Sequence, residues 1–368
     1  MNFTFVLAVY NKLDLTKECY LRLRKLYPST PITICSGGST DDTENWLSSL
    51  NDSNLKYRHV NERISFSETY NIAIDMVETE KLVLIHNDMV IGEGFLESLE
   101  RLLEKNMVLS YTTIEPPIFV GHNRPGKVLL DYGKGFVDFK EKEFQQYVLD
   151  NNMNDTIHDG AGFFMCAYKD VFDSVNGFDG KTFFPCFCED DDFLLRCKLK
   201  GYSLKTCESA ITYHFVSQTS RFSDEMKDSR QFIELCSNKN FVRKWGTPMY
   251  TFNLLEYYKL DKFEYNKLNV GLTTKDKEFS TTLEPFFDKV KTDIIPLEFI
   301  ESDQQYTSVN LMEKYQNTED VDIMVYIDKF ETGVDYDNLI KLRFILSNYG
   351  VGMYEIGNMK IDIRVSNL

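Results

Sequence analysis

The first 110 residues alternate short β-rich runs with stretches of helical spacing, and this switching of period constrains the fold more than any other feature of the chain. "FTFVLAVY" (3–10) reads as a buried strand, "LTKECYLRLRKLY" (15–27) as a helix, and "PITICS" (31–36) as a second strand. "STDDTENWLSSL" (39–50) opens on capping residues and continues as a helix; "KYRHV" (56–60) is a short strand. "SFSETYNIAIDMVE" (65–78) is a helix, and "KLVLIHNDM" (81–89) is a strand ending in polar residues. Strands alternating with helices build βαβ units, so the expected class is α/β with a mainly parallel central sheet flanked by helices. Ligands of such sheets collect at the carboxyl ends of the strands, which here read "VYNK", "CSGGSTDD" and "HNDM".

Further on, "EPPIFVGHNRPGK" is a loop by its Pro and Gly content, and "KEKEFQQYVLDN" is a helix. "DGAGFFMCAYKDVFDSVNGFD" (159–179) combines a Gly-rich turn, an apolar strand, a short helix and another turn. After an acidic helix, "YSLKTCESAITYHF" (202–215) reads as two short strands and "VSQTSRFSDEMKDSR" (216–230) as a polar loop. Past residue 250, "VDIMVYID", "NLIKLRFILSNYG" and "MYEIGNMKIDIRV" point to a small β-α-β piece. The expected division is a main domain over 1–248 and a C-terminal α/β accessory domain over 249–368, for acceptor binding or homo-oligomerisation.

A formal charge of −16 repels phosphate backbones and anionic lipid, so nucleic acid is a poor partner. An anionic ligand then needs local help, most simply a metal ion. No run approaches the eighteen or so apolar residues of a membrane span, and "MNFTFVLAVY" lacks the basic flank and cleavage site of a signal peptide. A cytoplasmic protein without a transmembrane segment is expected. The eight cysteines form no CxxC pair and read as reduced, mostly buried thiols; Cys186, Cys188, Cys197 and Cys207 do not have a usual zinc spacing.

Chemistry concentrates in "CFCEDDDFLLRCKLKGY" (186–202), where Glu189, Asp190, Asp191 and Asp192 repel one another. Acids in a first helical turn complement the dipole, and Gly201 is a C-terminal stop, so capping alone accounts for part of the pattern. Asp88, just past an apolar run, fits either a strand-ending turn or a carboxylate holding a divalent ion against diphosphate oxygens. His214 also follows a strand pattern, and imidazole suits Mn2+-like metals.

The succession "AVYNK", "GGSTDDT", Asn71 within a helix, "HND", "GAGFF…NGFDG…EDDD…R…GY", then a His and a polar loop resembles the inverting nucleotide-sugar glycosyltransferases of the GT-A fold, the family-two-like group with a Rossmann-like sheet. The resemblance covers about 1–245. Its most specific part is "NGFDGKTFFPCFCEDDDFLLRCKLKGY", close to the family's G-F-D, E-D-x-D and R-x-x-x-x-G-Y pattern, and "NKNFVRKWG" (238–246) is similar to the segment that closes the domain.

The resemblance implies roles. Tyr10 lies against the nucleotide base, with Ala8 and Asn11 shaping the pocket; Asp41 belongs to the loop that holds base and ribose; Arg63, Asn71 and Asn87 are further nucleotide-sugar contacts. Ser36 stands where the family has an acid at the end of the second strand, which leaves the base open. The D-x-D motif becomes His86, Asn87 and Asp88, so only the last acid is kept, with His214 as its partner in holding Mn2+ or Mg2+; His86 is a further candidate for the metal, a ribose contact or neither. Asp190 is the implied catalytic base, its basicity raised by the neighbouring acids. Glu189 holds the acceptor, His158 and Gly162 border it, and Asp192 pairs with Arg196 at i+4. Ser217, Ser220, Arg221 and Lys227 form a lid over the diphosphate.

The expected activity is metal-assisted transfer of a sugar from a nucleotide-diphosphate donor, UDP-linked by the family's habit, to a hydroxyl of a glycan, lipid or other acceptor with inversion. A retaining transferase of the same fold and a non-catalytic nucleotide-sugar-binding module are the alternatives. Product anomer separates the first, and donor turnover lost on Asp190→Asn with nucleotide binding intact separates the second.

Overall fold

The computed structural model of the chain describes residues 2–118, 126–216, 226, 228–249, 269–275, 277–346 and 349–365. Two compact units emerge, one from 1–180 with 189–231, the other from 181–188 with 232–368.

The first unit opens with strand β1 (Phe3–Val9), helix α1 (Leu13–Leu26), β2 (Ile32–Gly37), α2 (Thr43–Ser49), β3 (Leu55–Val60), α3 (Phe66–Asp75) and β4 (Lys81–Ile85). It continues through β5 (Met89–Ile91), α4 (Phe95–Leu102), β6 (Met107–Glu115), β7 (Lys127–Leu129), α5 (Glu141–Asn151), β8 (Ile157–Asp159), β9 (Met165–Tyr168), α6 (Lys169–Ser174), α7 (Glu189–Leu199) and β10 (Ser203–His214). The sheet order is β3-β2-β1-β4-β9-β6-β10-β5, with β7 beside β6 and β8 beside β10. It is parallel across β3-β2-β1-β4 and mixed beyond, because β9 runs antiparallel to both β4 and β6.

Every residue of β1 is buried. Phe3, Phe5, Leu7 and Val9 share a core with Cys19, Tyr20 and Leu23 of α1 and with Leu96 and Leu99 of α4, while α3 packs on β1 and β2. Burial on both faces is why this strand reads as an apolar run rather than an alternation; each large side chain contributes about 1.5–3 kcal/mol.

Two local readings change. The expected strand 81–89 stops at Ile85, and the chain resumes as β5, antiparallel to β10 (His214↔Met89). The three residues between them are His86, Asn87 and Asp88, so the break is what frees their side chains. The two strands expected in 202–215 are one, β10, whose pairing with β6 jumps from Cys207↔Tyr111 to Ile211↔Thr112. Glu208, Ser209 and Ala210 form an irregularity that looks like a strand boundary in sequence but leaves the ladder continuous.

The second unit holds most of helix α8 (Arg230–Trp245) and a five-stranded sheet built from β11 (Val270–Thr273), β12 (Lys289–Lys291), β13 (Ile323–Tyr326), β14 (Gly352–Ile356) and β15 (Met359–Ile363). Its order is β12-β11-β13-β15-β14. Around it lie α9 (Lys277–Leu283), α10 (Leu297–Gln304), α11 (Leu311–Gln316) and α12 (Thr332–Ile345). The expected β-α-β piece is thus β13, α12 and the β14–β15 hairpin, extended by two parallel strands. Beneath it, Arg243 on α8 binds Glu284 (Nη2–Oε2 2.9 Å) and Asp303, while Lys314 binds Glu284 at 2.6 Å. Among the described residues, no helix is long and apolar enough to cross a membrane.

Candidate active site

The ends of β1, β2 and β3 meet in a polar knot. Asn11 and Lys12 both take left-handed backbone (φ 52° and 58°), a costly conformation for residues with a Cβ that turns the chain sharply off β1. The side chain of Asn11 compensates: its Oδ1 accepts from the backbone N–H groups of Thr40 (2.8 Å) and Asp41 (3.2 Å), and its own N–H donates to Ser39 Oγ (2.8 Å). Asp41 accepts from the N–H groups of Leu13 and Thr43, so its carboxylate is committed to the starts of α1 and α2. Gly38 has φ 84°, and a Cβ there would lie 2.5 Å from Arg63 Cα; only glycine lets the loop approach Arg63. The Arg63 guanidinium sits 4.7 Å from the centre of the Tyr10 ring. Ala8 is buried beneath.

Ser36 is wholly buried; it hydrogen-bonds Ser39 Oγ (2.8 Å) and His59 Nδ1 (3.1 Å). Where the resemblance implies an acid, this chain has a hydroxyl–imidazole pair. His59 escaped the sequence reading, since in "KYRHV" only its alternation with Tyr57 marks it as sharing a strand face.

The Asn71 amide is engaged within the fold. Its Nδ2 donates to the carbonyl of Phe178 (2.8 Å) and its Oδ1 accepts from the Phe178 N–H (2.8 Å), so the amide clasps the "NGFD" turn. A Cβ on Gly177 would come within 2.4 Å of that Oδ1, which is why the turn carries glycine there.

Between β4 and β5 the turn 86–88 is pinned from several sides. Asn87 Nδ2 donates to Thr16 Oγ1 (3.0 Å), Tyr70 Oη donates to the Ile85 carbonyl (3.0 Å), and the Phe215 N–H donates to the Asp88 carbonyl (3.0 Å). Asn87 is therefore a buried anchor, while Asp88 is directed toward β10. His214 Nε2 lies 3.4 Å from Asp88 Oδ1, and His86 Nδ1 lies 3.9 Å from the same oxygen. Ligand atoms of His86, Asp88 and His214 all fall within 4.8 Å of one another, a group of metal-ligating type brought together across 128 residues of chain. Residues 160–164 complete the surroundings: the Gly162 N–H donates to Ser110 Oγ (2.8 Å), and the Phe163 and Phe164 rings lie 4.8 and 5.0 Å from His86.

The two imidazoles are pushed in opposite directions. Burial among aromatic rings drives His86 down to about 4, against the pull of Asp88. Burial also opposes charge on His214, but Asp88 on one side and Glu115 on the other outweigh it and hold that group up to about 9. His86 is thus a neutral nitrogen donor near neutrality, and its Nε2 is buried with no hydrogen-bond partner among the described residues.

At the start of α7, Glu189 is buried, Asp190 half-buried and the Asp192 side chain wholly inside. Arg196 Nε donates to Asp192 Oδ2 (2.9 Å), the expected i,i+4 pair, and the same guanidinium holds the carbonyls of Val175 and Gly177. Burial, then the charges of Asp190 and Asp192, push the Asp191 carboxyl well above its ordinary value. At Asp191 burial is the larger cause, and the neighbouring charges add to it. Phe187 and Cys188, with φ of 79° and 66°, set the sharp entry into this helix. The strand-end turn and α7 act on one phenol: Tyr70 is raised by burial and by the charges of Asp88 and Glu189. A ladder of rings also links them, His86–Phe163 (4.8 Å), Phe163–Phe178 (6.1 Å) and Phe178–Phe193 (4.8 Å).

His158 is set apart. It pairs with Thr206 on β10 and binds Glu208 at 2.6 Å, eight residues along the strand from His214, up to about 26 Å of extended chain. Arg221, with Ser217, Ser220 and Lys227 of the expected lid, lies outside the described residues. All eight cysteines are free thiols, seven of them buried.

Among solved structures, the chain is similar to TarS 1-349 of S. aureus (12% identity, TM-score 0.45, covering 78% of this chain and 80% of that one). It is also similar to the mannosyltransferase PcManGT of Pyrobaculum calidifontis, solved with GDP-Man and Mn2+ (15% identity, TM-score 0.46, covering 70% and 68%). Against S. aureus TarS (14% identity, TM-score 0.43), the match covers 67% of this chain and 43% of that one. No curated protein matches the sequence. Residues 4–173, just under half of the chain, match the model of the family described as glycosyl transferase family 2, and this supports a glycosyltransferase-family domain of the GT-A type over that segment.

Proposed function

We propose that the chain is a metal-dependent, inverting glycosyltransferase that moves a sugar from a nucleotide-diphosphate donor, UDP-linked, to a hydroxyl of a glycan, lipid or other acceptor. The observation that carries this reading is the His86–Asp88–His214 group at a sheet end; His86 and Asp88 lie within the segment that matches the family, and His214 lies past its end. Two imidazole nitrogens and one carboxylate favour Mn2+ over Mg2+, which prefers oxygen ligands. Bound there, the ion offsets charge on the leaving diphosphate.

In the proposed reaction the Asp190 carboxylate takes the proton of the acceptor hydroxyl as its oxygen bonds to the anomeric carbon. The bond from that carbon to the diphosphate oxygen breaks, and the nucleoside diphosphate leaves with the bonding pair. Tyr10, braced by Arg63, faces the base, and Ala8 and the Ser36–His59 pair shape its pocket. Asn11, Asp41 and Asn87 serve the donor by fixing the loops around it. Glu189 and Gly162 border the acceptor. Residues 1–248 are assigned the transfer reaction and 249–368 an accessory role in acceptor binding or self-association. Eight free thiols support a reducing, cytoplasmic setting.

Turnover of UDP-sugars with Mn2+, with the product anomer read by NMR, tests this. Asp190→Asn is expected to lower turnover by roughly 10²–10⁴-fold with nucleotide affinity kept. Unchanged turnover overturns the assignment of the base, and an axial-to-axial outcome overturns inversion.

A further inference from the structure

From the geometry we infer that Glu115, held by Lys127, is the positioning residue that presents His214 Nε2 to the metal; the inference rests on the metal reading above. The sheet register assembles a row. Ile114 pairs with Tyr213, so Glu115 and His214 are the next neighbours on adjacent parallel strands, and His214 pairs with Met89, one residue past Asp88. On the other side, β7 places Lys127 opposite Thr113, within side-chain reach of Glu115. Distances along the row are Lys127 Nζ–Glu115 Oε2 3.4 Å, Glu115 Oε1–His214 Nδ1 3.2 Å and His214 Nε2–Asp88 Oδ1 3.4 Å. All four side chains are under a tenth exposed.

An imidazole that ligates through Nε2 must carry its proton on Nδ1, and that N–H needs an acceptor once buried. Glu115 is that acceptor, fixing both the tautomer and the ring plane. Burying Glu115 near Asp88 would load the site with two negative charges, and Lys127 offsets the one on Glu115. Glu115 contributes nothing to the sequence motifs, being the last residue of an apolar strand followed by "PP", and only the pairing of β6 with β10 reveals its role.

The test is direct Mn2+ titration followed by electron paramagnetic resonance, with the visible spectrum of bound Co2+ as a second reading of the ligand field. Both use the full chain without substrate. Glu115→Ala and Glu115→Gln are expected to weaken Mn2+ binding by roughly 10–100-fold and to alter the Co2+ spectrum, at unchanged far-UV circular dichroism. Because either variant leaves Lys127 buried beside a neutral partner, Glu115→Gln/Lys127→Met supplies a form without the lone ammonium, and it is expected to show the same weakening. Wild-type affinity and spectrum in all three variants overturn the inference while the metal reading stands. A folded wild-type chain that binds neither ion overturns both.

Discussion

Replacing Arg196 with Met tests how α7 and its acids are held. The guanidinium lies 2.8 Å (Nη2) and 2.9 Å (Nε) from Asp192 Oδ2 and donates through Nη1 to the carbonyls of Val175 and Gly177 (2.8 Å for the latter). Asp192 is 0% exposed, whereas Arg196 keeps 19% of its side chain in water. Leaving a buried carboxylate without its cation costs about 3–5 kcal/mol, and the two carbonyls lose about 1 kcal/mol each. Water reaching the partly exposed Arg196 position replaces some of this, so the expected loss is about 3 kcal/mol. Asp192→Asn/Arg196→Met removes the stranded charge and should recover about half of it. The assay is urea unfolding: each unit holds one tryptophan, so Trp245→Phe leaves Trp46, edge-on to Tyr20 at 5.5 Å, as the reporter of the first unit. A loss below about 1 kcal/mol in Arg196→Met, or no recovery in the double variant, refutes a buried ionic anchor for the helix.

Asn71→Ala strips both backbone bonds from Phe178 and should cost about 1–3 kcal/mol of first-unit stability while nucleotide affinity, read by calorimetry, stays within twofold; a large fall in affinity with stability intact returns Asn71 to the donor site. In the second unit, the Arg243 side chain is 1% exposed and serves Glu284 (0%) and Asp303 (2%), so Arg243→Met should lower the unfolding free energy, followed by Trp245 in a Trp46→Phe background, by about 3–5 kcal/mol. In metal-free protein, His214, held up to about 9 against an ordinary 6.5, adds stability that is complete below 6.5 and lost as pH rises through 9. His86, pushed down to about 4, removes stability as pH falls from 6.5 toward 4, because the unfolded chain takes up the proton first. Melting temperature with chelator present should therefore peak near pH 6.5, and Asp88→Asn should flatten the alkaline side; a profile rising steadily to pH 9 contradicts the arrangement.

The sequence by itself determined the run of elements from β1 through α3 and the start of β4, together with the chemistry available at those strand ends. A buried strand such as β1 and a helix such as α1 announce themselves because their periods of burial are local properties of a few consecutive residues. The Asp192–Arg196 pair was legible for the same reason, since i and i+4 meet on any helix. Tertiary structure alone decided the rest. Whether "KLVLIHNDM" runs on or breaks at Ile85 depends on which neighbour each half pairs with, and β10 chose for the second half. Asn71 entered as a nucleotide contact through the family resemblance alone; its hydrogen-bond partner, Phe178, lies 107 residues away and could not be read from the local sequence. Glu115, Lys127 and His59 were invisible, as a single charged or imidazole side chain in a strand acquires meaning only from what the register sets beside it. Spacing along a chain encodes periodicity, whereas the reach of one side chain to another across a sheet is a property of the register.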